Sequence, residues 1–129
     1  MAEKVLTIFE KPIYLSYEPV DPHLFATALG VADTPVEANV LLRDAAITYA
    51  VIGQNCMGAK IAGQDVMAED TSPAKLIEFM LSHGSKIYAV EEDMKARGIS
   101  ADQLVRGVKP IREAETINLI EEHEAILVW

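Results

Sequence analysis

The chain has one thiol, Cys56, in the glycine-bearing polar run Gly53 to Lys60, GQNCMGAK. Structural cysteines favour apolar strands and helices, whereas Cys56 follows polar Asn55 and precedes the small Gly58 in what reads as a loop. That placement makes Cys56 the candidate catalytic residue. A thiol acts as a nucleophile when a cation or a helix start stabilises its thiolate, and Lys60 and Arg43 are the candidate cations. The inert alternative is a cysteine walled in by core side chains.

The same run nearly spells a phosphate-binding loop, in which glycines let backbone N–H groups cradle phosphates and a Ser or Thr holds magnesium. Ala59 displaces Lys60 by one place and Ile61 stands where the hydroxyl belongs, so nucleotide hydrolysis is set aside. Glu91, Glu92 and Asp93 would suit acid–base work, but they crowd a helix start, where negative charge supports the peptide dipoles. His23, His83 and His123 lack ligand spacing, so no metal site is expected. His83, beside Gly84, reads as a dipole partner at a helix end. Tyr14 and Tyr17 either line a pocket or pack down their proline-rich loop.

The elements that must position these groups alternate along the chain. KVLTIF (Lys4 to Phe9) reads as a first, central strand, followed by a long loop from Glu10 to Pro22. A helix capped by Asp21 carries Leu24, Ala28 and Val31 on one stripe, and Thr34-Pro35 ends it. EANVLL (Glu37 to Leu42) is a second strand. Ala45 to Ile52, AAITYAVI, fits either a strand or a buried helix, and Gly53 to Asp70 reads as loop with at most a short helical turn. Ser72 caps a helix that buries Leu76, Ile77, Met80 and Leu81. The strand Ile87 to Val90 then runs into an acidic helix start that Gly98 stops. Ser100 and Gln103 match a capping box, and Val108 to Ile111 is an edge strand limited by Pro110. The last helix, Glu113 to Glu124, should turn Ala114, Ile117 and Ile120 inward before the closing strand Ala125 to Trp129.

This order predicts α/β architecture, a three-layer α/β/α sandwich on a mostly parallel sheet of about five strands. In such sheets the crevice beyond the carboxyl ends of the strands is the usual place for ligands or chemistry. With 129 residues, a single domain spanning 1–129 is expected. The formal net charge of −9 argues against gripping nucleic-acid backbones, so no direct nucleic-acid partner is expected. No apolar run is long enough for a bilayer, and the N-terminus does not resemble a signal peptide, so a cytoplasmic protein without membrane attachment is expected. One cysteine permits no intrachain disulfide. Few charges around Ala45–Ile52 and Val108–Ile111 point to an oligomer.

From Leu76 onward the chain resembles the DsrE/DsrF/DsrH family of sulfur-relay proteins, the TusBCD type. The matching residues are Lys86-Ile87-Tyr88-Ala89-Val90, Glu92-Asp93, Ala96-Arg97-Gly98-Ile99, Gly107-Val108 and the apolar run closing on Trp129. The N-terminal half, KVLTIFEKPIY and VLLRDAAITYAVIGQ, looks more like the DsrE and DsrF branches. By analogy the resemblance implies a helix over Ala45 to Ile52 and homo- or hetero-oligomers. It also implies a persulfide-carrying cysteine near the end of the IYAV strand, where this chain has Ala89 and Val90 instead.

Three functions are compatible with these residues. The first is a sulfur-relay or sulfur-metabolism protein, at most a sulfurtransferase or sulfur carrier, passing persulfide sulfur through Cys56 between a donor and an acceptor protein. The second is a non-catalytic assembly subunit that positions a cysteine-bearing paralogue or further copies of itself. The third is a small-molecule-binding module using the crevice after IYAV and VLL. No cofactor is expected in any of them.

Overall fold

Two strands, KVLTIF and EANVLL, set the centre of the fold because almost every one of their residues is buried, as strands covered on both faces require. The computed structural model describes residues 4–11, 36–54, 60–65 and 73–129. Several expected features lie outside these residues: the helix capped by Asp21, the Thr34-Pro35 break, Tyr14, Tyr17, His23, the N-cap Ser72 and the candidate thiol Cys56.

In chain order the strands are β1 (Lys4–Phe9), β2 (Glu37–Leu42), β3 (Lys60–Ile61), β4 (Gln64–Asp65), β5 (Ile87–Val90), β6 (Lys109–Ile111) and β7 (Ala125–Val128). The α-helices are α1 (Pro73–Ser82), α2 (Glu91–Ala96) and α3 (Thr116–Glu121). Five strands form one sheet in the order β6-β5-β2-β1-β7, and every pairing in it is parallel. The chain steps from β1 through β2 and β5 to β6 in one direction, then returns to the far edge for β7. Right-handed crossovers therefore put the helices between β2 and β5 and between β5 and β6 on one face and the last connection on the other. On the first face α1 and α2 pack on a 3₁₀ segment, Asp44–Ala50. On the other, α3 leads into His123, which reaches Asn39 of β2. Helices thus cover both faces of the sheet, the expected sandwich.

Ala45 to Ala50 is helical, as the resemblance implied, but as 3₁₀ turns whose Ala46, Ile47, Tyr49 and Ala50 are buried, while Val51 is extended and bridges to Leu104. Val108 and Ile111 are buried as well. Most of both apolar segments is covered by the chain itself, while Ile52 stays 49% exposed.

Two further expectations are corrected. Within the stretch read as loop, β3 and β4 form a two-stranded antiparallel hairpin. Its turn, Ala62-Gly63, has positive φ at both residues, 51° and 79°, the geometry that matches strand twist. The last helix begins as a 3₁₀ turn, Glu113–Glu115, before α3. Three residues per turn there shift the phase of the stripe, so Thr116, Leu119 and His123 are buried while Ala114 points out and Ile117 is 64% exposed. Of the residues expected inward, Ile120 alone is half-buried.

The remaining punctuation matches the sequence. Pro73 opens α1, and Gly84 and Gly98, with φ of 91° and 66°, come just after the ends of α1 and α2. Ser100 N–H donates to Gln103 Oε1 at 2.9 Å, the capping-box bond. Pro110 sits on β6, an edge strand, where its missing N–H is tolerated.

Candidate functional site at the strand carboxyl ends

The crevice beyond the carboxyl ends is shaped by the segments into which β2, β5 and β6 run. β5 passes directly into α2 with Val90 as the capping residue, so Glu91, Glu92 and Asp93 all fall in the first helical turn. Beyond β2, Arg43 N–H donates to Phe9 O at 3.0 Å, and Asp44 adopts a left-handed φ of 52°. Such a conformation persists in a non-glycine residue when its surroundings hold it. Two bonds do so here. Asp44 N–H donates to Asp93 Oδ2 at 2.7 Å, and Arg97 Nη2 donates to Asp44 Oδ1 at 2.5 Å. Beyond β6, Glu113 N–H donates to Glu92 Oε2 at 2.6 Å. The acidic helix start thus fastens two neighbouring loops, and the acid–base reading of these carboxyls gains no support.

The end of β5, where the resemblance places a carrier cysteine, is closed. Ala89 is 0% exposed and Val90 is 2% exposed, and neither has a group that can ionise or donate. Gln54 Nε2 donates to Thr48 O at 2.6 Å and Val51 O at 3.0 Å, fixing the chain where it leaves the 3₁₀ segment toward Cys56. Cys56 itself lies outside the described residues. Of its two candidate cations, Arg43 is half-buried beyond β2 and Lys60 begins the hairpin. His83 takes the expected role at the end of α1, with Nδ1 2.9 Å from Phe79 O and its ring against Phe79.

At the opposite, amino end of the sheet lies a polar cluster that the sequence reading missed. Asn39, 1% exposed, accepts Lys86 N–H on Oδ1 at 2.9 Å, which fixes the orientation of its amide. Its Nδ2 then donates to Glu37 Oε1 at 3.0 Å and meets His123 Nε2 at 2.9 Å. His123 Nδ1 lies 2.6 Å from Leu119 O, and a carbonyl only accepts. The imidazole therefore carries its proton on Nδ1 and accepts at Nε2. The hydrogen bond from Asn39 holds the Glu37 carboxyl below its ordinary value, with Lys86 and Lys4 adding to this and burial opposing it. The available signal was an asparagine in the middle of an apolar strand, which needs buried partners. Among the described residues, no group of three or more His, Cys, Asp or Glu could hold a metal ion. Nor is any helix among them long and apolar enough to cross a membrane.

Comparison with known proteins adds the kinship. The family model described as DsrH like protein matches residues 66–126, the stretch that holds α1, β5, α2, β6 and α3. No curated protein sequence matches the chain. Among solved structures, the chain is similar to the YchN protein from E. coli, with a TM-score of 0.76, 19% identity and 100% of both chains covered. At that identity the likeness shows the fold. With that fold running the length of the chain, the DsrH-like match over 66–126 supports the DsrE/DsrF/DsrH family for this protein.

Proposed function

We propose that this chain is a sulfur-relay or sulfur-metabolism protein of the DsrE/F/H type. The observation that carries the reading is the DsrH-like match over the segment that builds β5, α2, β6 and α3. The chemistry in this reading runs through Cys56, the chain's one thiol. Its thiolate attacks the outer sulfur of a donor persulfide, an S–S bond forms at Cys56, and the donor leaves as a thiolate. Attack by an acceptor thiolate then carries the sulfur on and regenerates the Cys56 thiolate. No net oxidation occurs, because one sulfane sulfur moves between thiols. Intact-mass spectrometry after exposure to polysulfide tests it. Wild type should gain about 32 Da per sulfur atom and Cys56→Ser none. A wild type that gains no mass rejects Cys56 as the carrier.

A second reading is favoured by Ala89 and Val90, which close the strand end with buried apolar side chains. Here the chain is an assembly subunit and the persulfide belongs to a paralogue that bears a cysteine at that position. Mixing with such a paralogue should give a stable complex in which the paralogue alone takes up sulfur.

A further inference from the structure

A chain of hydrogen bonds fixes the protonation of His123. Lys86 N–H can only donate, so Asn39 must turn Oδ1 toward it, 2.9 Å away. Asn39 Nδ2 is left facing Glu37 Oε1 at 3.0 Å and His123 Nε2 at 2.9 Å. Leu119 O, 2.6 Å from His123 Nδ1, can only accept. A second proton on the imidazole would therefore sit on Nε2, against an amide donor. Turning that amide over would set Nδ2 against Lys86 N–H and Oδ1 against the Glu37 carboxylate, so the clash only moves. Asn39 is 1% exposed and His123 8% exposed, so the two donors would face each other out of water.

The charged groups around the ring offer it no replacement acceptor inside the cluster. On β2, Glu37 is engaged by Asn39 Nδ2 and by Lys86 Nζ at 3.4 Å. Lys86, ahead of β5, and Lys4, at the start of β1, bring positive charge to this end of the sheet. Glu121, Glu122 and Glu124, on the segment that carries His123, are exposed and favour a charged ring once it leaves the cluster. His123 itself sits where α3 hands the chain on to β7. The next bond along, Glu124 N–H to Lys4 O at 2.9 Å, begins the attachment of that segment to β1.

We propose that the Asn39–His123 contact is an acid-sensitive latch, in which protonation of Nε2 expels the ring and frees the junction between α3 and β7 from the sheet. An open form whose ring reaches water takes up the proton at the ordinary histidine value of about 6.5, whereas the latched form has no place for it. The open form binds more protons, so opening is favoured as pH falls below that value. Between about pH 7.5 and about pH 5 the open population should rise about thirty-fold. Glu37, held below its ordinary carboxyl value, stays ionised over this range. The latch does not depend on the sulfur reading.

Amide hydrogen exchange on the purified chain, corrected for the intrinsic effect of pH, tests the latch. The opening that exposes Glu124 N–H should rise about thirty-fold on acidification from about pH 7.5 to about pH 5. Val105 N–H, which donates to Ala50 O at 2.8 Å away from the cluster, should show no such rise. No rise at Glu124 overturns the proposal, and so does an equal rise at Val105, which marks unfolding of the whole chain. His123→Gln keeps a hydrogen-bonding amide that does not titrate and leaves His23 and His83 in place. It should abolish the rise, and persistence of the rise overturns the latch. Asn39→Asp keeps an acceptor for Lys86 N–H and replaces Nδ2 with an oxygen that accepts from the protonated ring. Acid should then close the junction, so opening at Glu124 should fall; a rise as large as in wild type overturns the latch.

Discussion

Asn39→Ala should be among the most damaging single changes in the described fold, although it removes only a side-chain amide. The wild-type amide satisfies Lys86 N–H, His123 Nε2 and Glu37 Oε1. Glu37 retains Lys86 Nζ at 3.4 Å, but Lys86 N–H and His123 Nε2 lose their partner. Each buried polar group left unsatisfied costs about 1–3 kcal/mol, so the pair should cost about 3–4 kcal/mol. With a urea slope of about 2 kcal/mol/M, the unfolding midpoint should fall by about 1.5–2 M. His123→Ala should cost less, about 1–2 kcal/mol, because Asn39 Nδ2 still has Glu37 as a partner. The double variant should be less destabilised than the sum of the two by about 1 kcal/mol or more, the mark of a shared bond. A cost below about 1 kcal/mol for Asn39→Ala, with strict additivity, would refute the cluster as a structural tie.

Two other outcomes rest on particular contacts. Glu37 is held below its ordinary carboxyl value in the folded state, so its contribution to stability is present above the unfolded value and lost as pH falls through the folded one. Denaturant titrations should therefore show a shallower loss of stability on acidification for Glu37→Gln than for wild type. Gly107 has a φ of 109°, and an added Cβ would lie 3.2 Å from Leu81 Cδ1. Gly107→Ala should cost about 1–2 kcal/mol and lower the thermal midpoint by about 4–8 °C, measured by calorimetry.

Much of the architecture was legible because the sheet is covered on both faces, which turns strands into apolar runs such as VLTIF and NVLL that helices of the surface do not imitate. Gly84, Gly98 and the Ser100–Gln103 box mark ends for reasons local to the chain, so single residues announce them. The 3₁₀ segment over Asp44–Ala50 was ambiguous because it is buried and its period is neither that of a strand nor that of an α-helix. The hairpin turn was hidden because Ala62 carries a left-handed φ that alanine does not signal. The Asn39–His123 pair joins residues 84 apart in sequence, and only the crossover that returns the chain to β7 brings them together. The candidate thiol was legible as a residue type, while its surroundings lie outside the described residues.

The carboxyl-end crevice is organised for rigidity. Asp93 Oδ2 accepts Asp44 N–H, a bond that holds the left-handed turn beyond β2. Glu92 is bound in the same way to the backbone beyond β6. Between these ties the end of β5 is filled by Ala89 and Val90, so a sulfur atom arriving there would meet no thiol and no donor side chain from the strand itself. On the proposed relay reading, sulfur chemistry therefore falls to Cys56 or to a partner's cysteine. The strand end holds α2 and the loops beyond β2 and β6 in one fixed arrangement.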